Sequence, residues 1–176
     1  METIFIGIDP GLTGAVAVVH PERTPVFFDT PVLKVGDKHE YNVAEMTALL
    51  RQVAPVVDGV HVAIEKVHAM PVRHSVNRCP LCGRGDSMGS VSAFRMGFGL
   101  ALWIGIVVAL RLPYTLVSPQ RWKGALMDGQ PKDKDASRQV AMRLFPSAVP
   151  QLWRKKDHGR ADALLIAEWA SRNMGF

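Results

Sequence analysis

The chain of 176 residues is 48% hydrophobic and 21% charged, a globular mix that excludes general disorder and suits one domain rather than two. Its formal charge is +5, and the excess is uneven: residues 111–160 hold 11 basic and 4 acidic side chains. A basic second half on a compact chain points to a polyanionic partner, nucleic acid above all.

Ile4 to Ile8 is an apolar run rich in β-branched residues, closed by Asp9-Pro10-Gly11. Ala15 to Val19 is a second such run, entered through Gly14, and Pro25 to Phe28 a third. Tight Gly/Pro turns between them predict an antiparallel meander. Val43 to Val53 sets Val43, Met46, Leu49 and Leu50 on one helical face. His61 to Glu65 predicts a fourth strand. Residues 68–89 show no period and read as a long loop insertion. Val91 to Leu110 reads as a long helix. Its uncharged stretch from Met96 to Leu110 has 15 residues, short of the about 18 that a bilayer span needs, so a buried helix and no membrane partner are expected. Pro113 to Val117 predicts a fifth strand, and Ser118-Pro119 opens a short helix by N-cap and N1 logic. Ser137 to Phe145 is helical until Pro146, and a last helix runs from His158 to Arg172 with Asp157 as its N-cap.

These elements predict an α/β protein: a mixed five-stranded sheet, three antiparallel strands and then parallel ones, with helices on both faces, as a single domain over 1–176. Met1-Glu2-Thr3-Ile4 shows no signal peptide, and two cysteines make no disulfide framework, so a cytoplasmic location is expected, with an organelle stroma also open.

Two acids end predicted strands. Asp9 is projected by the turn at Pro10, Gly11 and Gly14, and Glu65 follows the apolar run Val62-Ala63-Ile64. A third, Asp162, sits among Ala161, Ala163, Leu164 and Leu165, four residues after His158 and on the same helical face. Acids at the ends of buried elements are costly unless a cation compensates them. Oxygen ligands with one imidazole suit Mg²⁺ or Mn²⁺. Each acid alone has a plainer reading: Asp9 as a turn-former, Glu65 paired at the surface, Asp162 salt-bridged to Lys155 or Arg160. Their joint placement favours a metal site.

The motifs Ile6-Gly7-Ile8-Asp9-Pro10-Gly11, Ile64-Glu65 and Ala161-Asp162-Ala163-Leu164-Leu165-Ile166-Ala167 resemble the three acidic motifs of RuvC-type Holliday-junction resolvases. Gly97-Phe98-Gly99, Leu102-Trp103-Ile104-Gly105, Trp122-Lys123, Ser137-Arg138, Leu144-Phe145-Pro146 and Lys155-Lys156-Asp157-His158-Gly159-Arg160 look like the chloroplast branch of that family. The resemblance implies an RNase H-like fold, a homodimer with a seam on the 91–110 helix, and Mg²⁺-dependent nicking of four-way DNA junctions. By position it makes Asp9, Glu65 and Asp162 metal-binding carboxylates and puts His158 where the family shows a fourth ligand. It leaves open whether His158 or Asp157 completes the site. The mechanism expected is a two-cation clamp on the scissile phosphate. Lys123, Lys134, Arg138, Lys155, Lys156 and Arg160 are the candidate phosphate contacts, and Phe94 a candidate wedge into an opened junction.

The 68–89 loop departs from that family. Cys79-Pro-Leu-Cys82-Gly has the shape of a zinc knuckle, with His74 and His68 the nearest further ligands for a structural Zn²⁺. Two rivals remain: an RNase H-like nuclease acting on RNA, and a catalytically silent junction-binding module.

Overall fold

A computed structural model describes residues 3–67, 90–130 and 135–174. The candidate zinc ligands His68, His74, Cys79 and Cys82, and the candidate phosphate contact Lys134, lie outside the described residues. The main sheet holds β1 (Ile4–Asp9), β2 (Ala15–Val19), β3 (Val26–Asp29), β6 (Val60–Glu65) and β7 (Tyr114–Val117), in the order β3-β2-β1-β6-β7. The first three strands pair antiparallel, and β1–β6 and β6–β7 pair parallel, as the sequence predicts.

The two faces of the sheet bury different helices. Ile6, Ile8, Val16, Val18, Val62 and Ile64 meet α1 (Val43–Val53) through Met46, Leu49 and Leu50, and α2 (Ser90–Ala109) through Trp103, Ile106 and Val107. The Asn42 side chain accepts the Glu45 N–H at 3.2 Å and so caps the start of α1. The alternate residues Phe5, Ala15, Ala17, Ala63 and Val117 meet α3 (Pro119–Leu126), α4 (Ala136–Leu144), the single turn α5 (Val149–Leu152) and α6 (His158–Met174). A strand turns successive side chains to opposite faces, so Asp9 and Glu65 follow Phe5, Gly7 and Ala63 onto the α6 side. Parallel pairing of Ile8 with Ile64 leaves the two acids at adjoining strand ends.

Helix α6 lies against β1 with no room for a side chain between them. A Cβ on Gly7 would overlap the Ala163 carbonyl and come within 2.6 Å of the Ala167 nitrogen. At the N-terminal end of the helix, a Cβ on Gly159 would stand 2.5 Å from the Thr13 carbonyl in the β1–β2 turn. These two close approaches fix how α6 slides and rotates on the sheet.

Two features differ from the sequence reading. A second, two-stranded sheet forms from β4 (Val32–Val35) and β5 (Lys38–Tyr41), turning at Gly36 with φ +59°. Its residues are mostly exposed, so no buried face imprints a hydrophobic alternation on the sequence. The second feature is the apolar helix. Val91–Ala109 spans 19 residues at mean hydropathy 1.8, long and apolar enough to cross a membrane by length and composition. Counting only the uncharged stretch understates it, because Arg95 falls within the helix. Trp103, Ile106 and Val107 anchor α2 on the sheet, while Val91, Phe94, Phe98 and Val108 stay exposed. Among the described residues the helix is thus packed on one side, rather than buried all round.

Candidate active site

Asp9, Glu65 and Asp162 come from β1, β6 and α6 and interact through their charges in every pair. Burial, with the charges of Asp162 and Glu65, pushes Asp9 up to about 7. The Gly11 N–H, 3.2 Å from Asp9 Oδ1, and Lys123 oppose that rise. Burial also raises Glu65 and Asp162 above the usual carboxylate range. Among the described residues, Lys123 is the lysine that pulls all three down. The Asp162 Oδ1 oxygen is buried without a hydrogen-bond partner among the described residues.

The remaining predicted residues divide. His158 opens α6 on the exposed surface, and its charge acts on Asp162. Asp157 is buried and otherwise engaged: it accepts the Arg154 backbone N–H at 3.0 Å and Arg154 guanidinium bonds at 2.8 to 3.1 Å. Burial works to raise Asp157, and the bonds from Arg154 outweigh it and leave the carboxyl lowered. Asp157 thus secures the turn before α6.

Arg138 has partners within the chain. It was expected at a phosphate, but it is buried, with a bidentate pair to Asp135 at 2.7 and 2.6 Å and bonds to the Leu152 and Trp153 carbonyls at 3.1 and 2.6 Å. Its guanidinium ties α4 to the end of α5. Arg160 forms a bidentate pair with Asp29 at 2.6 and 2.9 Å, joining α6 to the end of β3. Lys155 and Lys156 stand exposed just before α6. Phe94 is 71% exposed, so it is not a core residue of α2.

One contact at the site escapes any reading of the sequence alone. The fully buried Trp122 donates its Nε1–H to Glu65 Oε1 at 3.0 Å, across 57 positions of chain. The Lys123 Nζ stands 4.9 Å from the centre of the same ring. The Trp-Lys pair thus holds one acid and offsets the charge of all three. Its signals in the sequence were the Trp-Lys motif itself and its nearness to the Ser118-Pro119 helix start, and neither names Glu65 as the partner.

As placed, no three Asp, Glu, His or Cys side chains among the described residues already converge into a metal cage. The donor chemistry nonetheless fits a divalent cation. Three acids share one buried spot with a single lysine, all are driven toward protonation, and one buried oxygen has no partner among the described residues.

No protein-family model matches the chain. Over 82 residues, 47% of the chain, it is 40% identical to a chloroplastic Holliday junction resolvase, MOC1, of Chlamydomonas reinhardtii. That stretch spans 9% of the algal protein. Among solved structures it is similar to Thermus thermophilus RuvC, at 20% identity and TM-score 0.59 over 98% of this chain and 97% of that one. It is also similar to T. thermophilus RuvC in complex with a Holliday junction substrate, at 18% identity and TM-score 0.58 over 98% and 96% of the two chains. The chain therefore has the RNase H-like fold of RuvC and is related in sequence, over about half its length, to a chloroplastic Holliday junction resolvase.

Proposed function

We propose that this chain is a structure-selective endodeoxyribonuclease, one that resolves four-way DNA junctions by paired symmetric nicks. The observation that carries the reading is the gathering of Asp9, Glu65 and Asp162 at one buried spot with Lys123 as their shared counter-charge. The kinship with a chloroplast resolvase and the RuvC fold support the choice of substrate.

Asp9, Glu65 and Asp162 would hold the cations, with His158 at the rim. Mg²⁺ held there would supply Lewis-acid stabilisation of a phosphate and would lower the pKa of a water. The residues of the chain do the rest. The Trp122 bond aims the Glu65 carboxylate. Lys123, beside all three acids, would offer its ammonium to a phosphate oxygen. Lys155, Lys156 and the partly exposed Arg160 add sequence-independent attraction beside α6.

The reading includes a homodimer. The outer face of α2 exposes Ala101, Gly105 and Val108, spaced four and three residues apart on one stripe. Small side chains let a second helix approach closely, and a two-fold partner there would duplicate the acidic site for the two strands of a junction. This seam also accounts for the apolar surface of α2, whose opposite side is fixed to the sheet by Trp103.

Incubation with a synthetic four-way junction and Mg²⁺ tests the proposal. Symmetric paired nicks are expected. Cleavage of RNA duplex or linear DNA alone would reject it. A second prediction isolates Trp122: Trp122→Phe should raise the Mg²⁺ concentration for half-maximal cleavage about tenfold, the scale of losing a residue that orients a ligand. An unchanged Mg²⁺ dependence would show that the bond to Glu65 positions nothing.

A further inference from the structure

Two of the three acids have a donor that aims them: the Gly11 N–H for Asp9 and the Trp122 indole for Glu65. For Asp162 the candidate is Ser137, the second residue of α4. Serine is mostly an exposed residue, yet Ser137 is 8% exposed. Its helix neighbours Val140 and Ala141 share a core with Ala161 and Ala163, the residues on either side of Asp162.

The hydroxyl of Ser137 has one hydrogen and two acceptors within reach. It donates to Met127 Sδ at 3.5 Å. It also acts on the Asp162 carboxyl: burial raises that acid, and a hydrogen bond from Ser137 is the first of the influences that oppose the rise, ahead of Lys123 and His158. A thioether sulfur is a weak acceptor, and an ionised carboxylate a strong one. The sulfur therefore keeps the hydroxyl beside Asp162 without competing seriously for its hydrogen.

Both supports of this serine are fixed. Met127 closes α3, and its N–H donates to the Lys123 carbonyl at 2.8 Å. One helical turn thus separates the sulfur from the lysine that serves all three acids. On the other side, Arg138 binds Asp135 and the Leu152 and Trp153 carbonyls, which holds the first turn of α4 in place. Asp162 Oδ1, buried and without a hydrogen-bond partner among the described residues, is the oxygen left for a cation.

We propose that Ser137 is the positioning residue of Asp162, its hydroxyl holding the carboxyl so that Oδ1 stays free for a divalent cation. The proposal rests on the reading of the three acids as a cation site and extends it to the residue that orders the third acid. Helix α3 then serves two acids, Glu65 directly through Trp122 and Asp162 through Met127 and Ser137.

The test measures Mn²⁺ binding to the DNA-free protein from the electron paramagnetic resonance signal of the free ion. Ser137→Ala should weaken binding about tenfold, the scale of losing a group that orients a metal ligand. Added to Asp162→Asn, the same substitution should cause no further loss, because the acid it positions is gone. Met127→Leu keeps the volume and removes the sulfur, so Mn²⁺ should bind at least as tightly as to the parent. Equal affinity in Ser137→Ala and the parent would overturn the inference. So would an equal loss in the parent and Asp162→Asn backgrounds, the mark of a purely structural role. A loss on Met127→Leu that matches the loss on Ser137→Ala would overturn it as well, by assigning the effect to the sulfur bond. Failure of the parent chain to bind Mn²⁺ would instead remove the cation-site reading, and this inference with it.

Discussion

Asp9→Asn is expected to bind four-way junctions as the parent chain does and to cut them on the order of 10³-fold more slowly, about 4 kcal/mol of lost transition-state stabilisation. The substitution keeps shape and one acceptor oxygen, so the Gly11 N–H retains its partner. Only the charge that would hold a cation is gone. Normal cutting by this variant would refute the assignment of the site.

The same substitution should make the metal-free protein more stable. Asp9 has its folded pKa raised from 3.8 to about 7. The folded chain therefore binds this proton more tightly than the unfolded chain does. Between about pH 4 and 7 the folded state carries the greater share of bound proton, and stability falls as pH rises through that window. Above about 7 the loss is complete and the curve is flat. The substituted amide has nothing to titrate, so the gap in Tm between variant and parent should grow from pH 5 to pH 8 and reach about 5 °C, measured in EDTA. Mg²⁺ should narrow it at pH 8 by stabilising the parent alone. A gap that stays constant with pH would show that Asp9 is not driven toward protonation.

The second large effect lies away from any charge. Gly7→Ala adds one methyl group where β1 meets the backbone of α6. Neither a strand in mid-sheet nor a helix backbone yields as a side chain would, so overpacking should cost about 3 kcal/mol and lower Tm by about 6–12 °C. Cutting should fall further than stability alone dictates, because Asp162 moves with the helix. Gly124→Ala in α3 is the matched control. Nothing lies within 4 Å of its Cβ position, and helix propensity predicts a gain of about 0.5–1 kcal/mol. Circular-dichroism melts of the two variants decide the matter. Equal Tm for Gly7→Ala and the parent would mean that the α6 contact is looser than drawn.

The parts of this architecture that were legible in sequence are those whose chemistry conflicts with their surroundings. Asp9 and Glu65 stand out because each ends an apolar strand, and Asp162 because it interrupts a run of Ala and Leu. The five main strands were visible because buried faces force β-branched apolar runs. The bonds of Arg138 were not legible for the converse reason. In a short basic segment a buried arginine looks like an exposed one, and only its bonds to Asp135 and two carbonyls distinguish it. Trp122 and Glu65 lie 57 residues apart, and no local pattern encodes a bond over that separation. The β4–β5 ribbon was missed because its largely exposed residues carry no alternation, and the Gly36-Asp37 turn was its only mark.

The seating of α6 on Gly7 ties the completeness of the acidic site to the docking of one helix. Asp9 and Glu65 emerge from the ribosome well before Asp162, and a partly synthesised chain holds two acids without the helix that brings the third. On the proposed reading, a chain whose α6 has not docked on the sheet would lack the third acid and would not cut. A misfolded or truncated product that lost this docking would be inert toward the genome.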